Sequence, residues 1–167
     1  MADGSPAGSE NRALAEIEAS GIEHRAVRTR PANSPEESAE LQGIELRALL
    51  RTLVIRRGDD DYLFVLVPGG RRFDWPKLRA HLGVSRLSMP DADEARAVTG
   101  YERGAITPFG SLRAWPVLID ASALEQPLVA IGGGARGVNL HLAPSDLVAH
   151  LGAEPVEVSV PEGAAHS

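Results

Sequence analysis

Hydrophobic and polar positions switch several times between helical and strand spacing along the chain. Over residues 11–19, Ala13, Leu14 and Ile17 fall on one helical face, and Gly21 stops that helix. Residues 23–29 read as a short strand, which Pro31 ends. Ser34-Pro35-Glu36-Glu37 then starts a second helix. Ser is the cap, Pro takes the first position, and the acids complement the helix dipole. It runs to about Gln42, with Gly43 ending it. Residues 49–57 and 62–67 are two runs of β-type residues, and 58–61 (Gly-Asp-Asp-Asp) between them makes a hairpin. The second run, YLFVLV, is apolar throughout, so it belongs in the middle of a sheet covered on both faces.

Asp74-Trp75-Pro76 opens a helix with Leu78 and Leu82 inward and Gly83 at its end. Pro90-Asp91 opens another, which ends near Gly100. Residues 101–115 form a loop rich in Gly and Pro. Strands are expected at 117–119, 128–131 and 138–142, a short helix from Pro144, and a final edge strand at 156–160. Strands and helices mix without a strict βαβ rhythm, and the hairpin is antiparallel. These features predict one α/β domain with a mixed, mostly antiparallel sheet and helices packed around it, rather than a doubly wound fold. The domain is expected at 9–160, between disordered tails at 1–8 and 161–167.

Composition narrows the function. The 167 residues suit a single core that needs no staple. Cysteine is absent, which excludes a disulfide framework, thiolate metal sites and a cysteine nucleophile. No apolar run approaches the roughly 20 residues of a membrane span, and the first ten residues lack the features of a secretion signal. A cytoplasmic protein without membrane contact is expected. The net charge of −6 argues against a generally basic nucleic-acid binder. The acidity sits at the ends: residues 1–23 hold five acids against one base, and 151–167 hold three acids and no base. The body is near neutral. Lys77 is the one lysine, so phosphate or carboxylate contacts fall to Arg, which binds bidentately and stays charged.

Three features carry candidate chemistry. Gly132, Gly134 and Gly137 match the G-x-G-x-x-G spacing of dinucleotide sites, but that motif needs a helix next. Val138-Asn139-Leu140-His141-Leu142 alternates like a strand instead, so the dinucleotide reading fails. A glycine run between strands still lets backbone N–H groups approach an anion or a carbonyl oxygen; a plain turn is the alternative. The loop from Gly104 to Gly110 combines glycines, the Thr107 hydroxyl and Pro108, and reads either as a binding loop or as a surface connection. Arg51 shares a strand face with Leu53 and Ile55, where it pairs with a carboxylate, reaches solvent or awaits an anionic ligand. The five histidines show no metal-ligand spacing, and no serine lies in a nucleophile elbow. No metal and no cofactor are expected.

The order of these segments resembles a known family. Arg51-Thr52-Leu53-Val54 is followed by Val67-Pro68-Gly69, Thr99-Gly100-Tyr101-Glu102, the loop from Gly104 to Gly110, Pro116 to Asp120 and Gly132 to Gly137. Together they are similar to the YbaK/prolyl-tRNA-synthetase-associated editing domain family over about residues 12–160. The resemblance implies hydrolysis of the ester in mischarged tRNA, in trans, without metal or protein nucleophile. Editing exists because one methylene yields only about 1–3 kcal/mol of discrimination.

By the same resemblance, the backbone at Gly132, Gly133 and Gly134 would face the substrate carbonyl oxygen, with Arg51 supporting binding and catalysis. Gly104, Ile106, Thr107, Pro108, Phe109 and Gly110, with Arg136, would hold the terminal adenosine and shape the amino-acid pocket. The implied partners are the acceptor end of an aminoacyl-tRNA and an aminoacyl-tRNA synthetase. Two positions depart from the family pattern: Arg51 stands where Lys is usual, and Thr107 where Ser is commoner. Arg exchanges protons poorly near neutral pH, so the alternative is a non-catalytic module on the same fold that recognises an aminoacyl-adenosine or another small ligand.

Overall fold

The computed structural model of the chain describes residues 6–162. Five helices are joined to nine strands in the order α1 (Pro6–Ser20), β1 (His24–Arg28), α2 (Pro35–Gln42), β2 (Leu50–Gly58), β3 (Asp61–Pro68), β4 (Arg71–Phe73), α3 (Trp75–Leu82), α4 (Ala92–Thr99), β5 (Val117–Asp120), β6 (Val129–Gly132), β7 (Val138–Leu142), α5 (Pro144–Leu151), β8 (Glu154–Val156) and β9 (Ser159–Pro161). Single 3-10 turns lie at Leu46–Ala48 and Ala121–Glu125.

The helix boundaries follow from local chemistry. Ser34, Asp74 and Asp91 each accept a bond from the backbone N–H three residues on, at 2.8–3.0 Å. Each satisfies a donor that the first helical turn leaves open. Gly43, Gly83 and Gly100 close the same helices in the left-handed region.

The strands form three sheets. β1-β7-β6 is antiparallel, β2-β3-β5-β8 is mixed, and β4 pairs with β9. Four of the six strand pairings are antiparallel. A parallel bridge between Leu49 and Ala130 joins the first two sheets.

β3 is central, between β2 and β5, and its alternation divides the core. Tyr62, Phe64 and Leu66 pack with Ala13 and Ile17 of α1, Leu140 of β7 and Leu147 of α5. Leu63, Val65 and Val67 pack with Leu78 of α3 and Val158 on the opposite face. Each fully buried Leu or Phe contributes about 1.5–3 kcal/mol.

Four features differ from the sequence expectation. α1 begins at Pro6 and so takes in residues 6–8; the rest of the expected leading tail, and residues 163–167, lie outside the described residues. The single expected sheet is divided in three. β4 has only three residues, too few for a pattern to show. The expected strand at 156–160 is two strands, because the Val158 N–H leaves the ladder and donates to the Asp120 carboxylate at 3.2 Å.

Candidate active site

A cleft of about 530 Å³ opens where β2, the start of α2, the loop at 103–106 and the β6–β7 hairpin meet. That is a usual size for a small-molecule site. Its wall combines apolar side chains (Leu50, Val54, Ile106, Met89) with the hydroxyls of Thr52, Ser34 and Ser38. The charged residues among its lining are Arg51, Arg103 and Arg136; no Asp, Glu or His is among them. The cleft therefore favours an anion or an oxygen that gains negative charge.

Arg51 is half-buried on β2. Its Nη2 donates to the Arg71 carbonyl at 2.7 Å, while its Nε is buried with no acceptor. A buried donor left unpaired costs about 1–3 kcal/mol. Among the described residues no carboxylate pairs with this guanidinium.

The anchor of Arg51 is itself pinned. Arg71 Nε donates to Ser159 Oγ at 2.7 Å, and Ser159 Oγ donates to Asp120 Oδ2 at 2.6 Å. Arg71 Nε also lies 3.7 Å from Asp120 Oδ1. Asp120 is buried and accepts further bonds from the Ser122 hydroxyl at 2.6 Å and the Ser122 N–H at 3.1 Å. Burial alone would raise its pKa. The bonds from Ser122, Ser159 and the Val158 N–H outweigh that and hold it below the usual aspartate value.

The glycine run has a different disposition from the one the sequence implied. The Gly133 N–H donates to the Val138 carbonyl at 2.8 Å, closing the β6–β7 hairpin. That amide is engaged within the hairpin. Adjacent positions of an antiparallel ladder point oppositely, so the Gly132 N–H, paired across from Asn139, turns away from β7. A Cβ on Gly132 would stand 3.2 Å from the Ile106 carbonyl, so the missing side chain lets β6 approach the loop. Gly134 takes φ 93° in the hairpin turn. At Gly137, φ is 81° and a Cβ would collide with the Thr29 carbonyl. Strand β7 follows directly, with no helix for a dinucleotide site.

The loop from Gly104 to Gly110 has two halves. Gly104 and Ile106 line the cleft, and Arg136 packs against Gly104 while donating to the Arg103 carbonyl at 3.3 Å. Thr107, Pro108 and Phe109 are buried and are not among the residues lining the cleft. Thr107 Oγ1 accepts from the Phe109 N–H at 3.3 Å. Phe109 stacks on His150, with ring centroids 5.6 Å apart. Gly110 is held on both sides by α1: its N–H donates to Glu16 at 2.7 Å and its carbonyl accepts from Arg12 at 3.2 Å. Tyr101, under the same helix, has its hydroxyl pKa pushed up to about 12 by burial.

The cleft thus brings together Arg51, Gly104, Ile106, Gly132 and Arg136, and leaves Thr107, Pro108, Phe109 and Gly110 behind them as an anchor. Sequence reading missed Arg103 and Thr52. Thr52 was signalled by its place two residues from both Leu50 and Val54 on one strand face; Arg103 had no periodic signal. Among the described residues no cluster of His, Asp and Glu is placed to hold a metal ion. No described helix is long and apolar enough to cross a membrane.

A single mixed α/β domain with a basic, carboxylate-free cleft defines a small-ligand domain for an anionic or ester-bearing group. Residues 29–149 match the model of the aminoacyl-tRNA editing domain, and the chain belongs to that family. It is 27% identical over 129 residues to EbsC of Enterococcus faecalis, named as a candidate Cys-tRNA(Pro)/Cys-tRNA(Cys) deacylase, covering 77% of this chain and 79% of that protein. It is 33% identical over 88 residues to the proline–tRNA ligase of Thermosipho melanesiensis, covering 53% of this chain but 15% of the ligase. A crystal structure described as a candidate trans-editing enzyme for prolyl-tRNA synthetase superposes with a TM-score of 0.81 at 25% identity, covering 93% of this chain and 98% of that one.

Proposed function

We propose that this editing domain is an aminoacyl-tRNA deacylase that hydrolyses the ester of mischarged tRNA in trans. The observation that carries the reading is Arg51: a guanidinium with a buried, unpaired N–H beside a cleft lined by no carboxylate. When an oxygen attacks the ester carbonyl, charge collects on the carbonyl oxygen. Arg51, with the Gly132 amide that turns away from β7, supplies donors for that charge. Such donors typically contribute on the order of 10²–10³ in rate each. Among the described residues none of the lining hydroxyls is hydrogen-bonded to a histidine or a carboxylate. Attack by water, or by the substrate's own ribose hydroxyl, suits this wall better than a protein nucleophile. Gly104 and Arg136 form the opposite lip, where the terminal nucleotide would rest. The likeness to part of a proline–tRNA ligase supports a proline-system tRNA and a synthetase partner.

A second reading is a non-catalytic module that binds an aminoacyl-adenosine. The chemistry of Arg51 favours it, since guanidinium does not exchange protons near neutral pH. Hydrolysis of Ala-, Cys-, Ser- and Thr-charged tRNAs, against a no-enzyme control, separates the two. Release from one of them above the control names the substrate. No release, with a non-hydrolysable aminoacyl-adenosine analogue still bound, sinks the deacylase reading and leaves the binding module.

A further inference from the structure

A second groove, of about 620 Å³, lies further along the edge strand β2, lined by Arg56, Arg57, Arg79 and Arg86 with Asp59. Arg56 is paired with Asp59 at 2.6 Å and lies 3.4 Å from Glu94, and Arg57 is paired with Asp61 at 3.0 Å. The side chains of Arg79 and Arg86 make no hydrogen bond or ion pair among the described residues. The groove therefore keeps an excess of positive charge that the protein itself does not neutralise.

The groove adjoins the cleft along two chain segments. Residues 49–54 of the β2 segment border the cleft, and residues 56–58 border the groove. On the facing segment, Met89 and Pro90 line the cleft while residues 85–88 line the groove. Two backbone bonds between Arg56 and Ser88, at 2.7 and 3.0 Å, fasten that segment to the edge of β2. At about 3.3 Å per strand residue, the groove centre is roughly 20 Å from the cleft centre. That distance is about six stacked nucleotides. A four-nucleotide single-stranded end with its ester in the cleft would place the first base pairs of its stem over this groove.

We propose that the Arg79–Arg86 groove is a phosphate track for the double-helical stem of the RNA whose 3′ end enters the cleft. This rests on the deacylase family reading for the occupant of the cleft and assigns the path of the rest of that ligand. Contacts of this kind carry little sequence information and are read through charge and backbone shape. They also reconcile a negative net charge with RNA binding: Arg79 and Arg86, which no acid pairs among the described residues, share this groove with Arg56 and Arg57.

The test uses fluorescence anisotropy with uncharged tRNA, so it needs no turnover and survives failure of the hydrolysis assay. Arg79→Glu/Arg86→Glu is expected to weaken tRNA binding at least 10-fold and to reduce the log–log salt slope by about 2. Binding of a 3′-aminoacyl-adenosine analogue should stay within twofold. Arg79→Lys/Arg86→Lys, which keeps the charge, should bind tRNA within about threefold of the parent. Unchanged tRNA affinity in the Glu pair overturns the proposal. So does a parallel loss of the adenosine analogue, which would trace the effect to a damaged cleft.

Discussion

Arg51 and Arg71 are joined by one hydrogen bond and live under opposite conditions. Arg71 is saturated: its Nε and Nη2 bond Ser159, and the Asp120 carboxylate lies behind them. Arg51 meets only a carbonyl, and its Nε has no acceptor. The same side chain is a structural tie in one place and a ligand-ready donor in the other. What decides is whether a buried carboxylate lies within reach. The difference separates two uses of arginine in this fold: the knot of Asp120, Ser159 and Arg71 ties the platform together, while Arg51 and Arg136 at the cleft bond backbone carbonyls and, among the described residues, no carboxylate.

That division can be broken from either side. Asp120→Ala would strand the donors of Ser122, Ser159 and Val158 and leave Arg71 without its counter-charge. It should cost about 3–5 kcal/mol in urea unfolding; a loss below about 1 kcal/mol would deny the knot its structural role. Arg51→Ala should do the reverse, lowering turnover on the order of 10²-fold (about 2.7 kcal/mol) while leaving unfolding within about 1 kcal/mol. Arg51→Lys should retain or raise turnover. Turnover unchanged in Arg51→Ala would remove Arg51 from the mechanism.

Ser159→Ala removes the relay between Arg71 and Asp120 and should cost about 1–3 kcal/mol. Turnover that survives this loss would show that the β4 carbonyl holds Arg51 without the relay. The smallest effect is on pH. His141 is buried, bonded to Gln42 at 2.9 Å, and its pKa is lowered by burial and by Arg25. A depressed native pKa means that the unfolded chain binds more protons, so stability is held above about pH 6.5 and falls as pH drops below it. Asp120 adds a second loss below its ordinary value near 3.8. His141→Gln should flatten the first slope and leave the second; an unchanged slope near pH 6 would place the acid sensitivity elsewhere.

The helices were legible because their stop and start signals are local. Ser34 to Gly43 and Asp74 to Gly83 were bounded to the residue by caps alone. What lay hidden depended on partners distant in sequence. The phase of the β6–β7 ladder decides which glycine amide is free, and no residue type encodes it. The clamp that Arg12 and Glu16 of α1 place on Gly110 was hidden in the same way, because its partners lie more than ninety residues apart in the chain. Arginines at 56, 57, 79 and 86 average out in the near-neutral body of the chain, and only the tertiary fold brings 79 and 86 beside 56 and 57.

The pairing of His24 with Leu142 places the outermost strand of the first sheet under the control of one made far later. At about 5–20 residues per second of synthesis, β1 waits on the order of ten seconds for β7. During that interval the hairpin carrying YLFVLV is complete while α5, part of its cover, has not yet emerged. Such an exposed apolar hairpin is a template for aggregation. The late arrival of β7 and α5 thus makes closure of distant contacts the slow step that exposes this hairpin during synthesis.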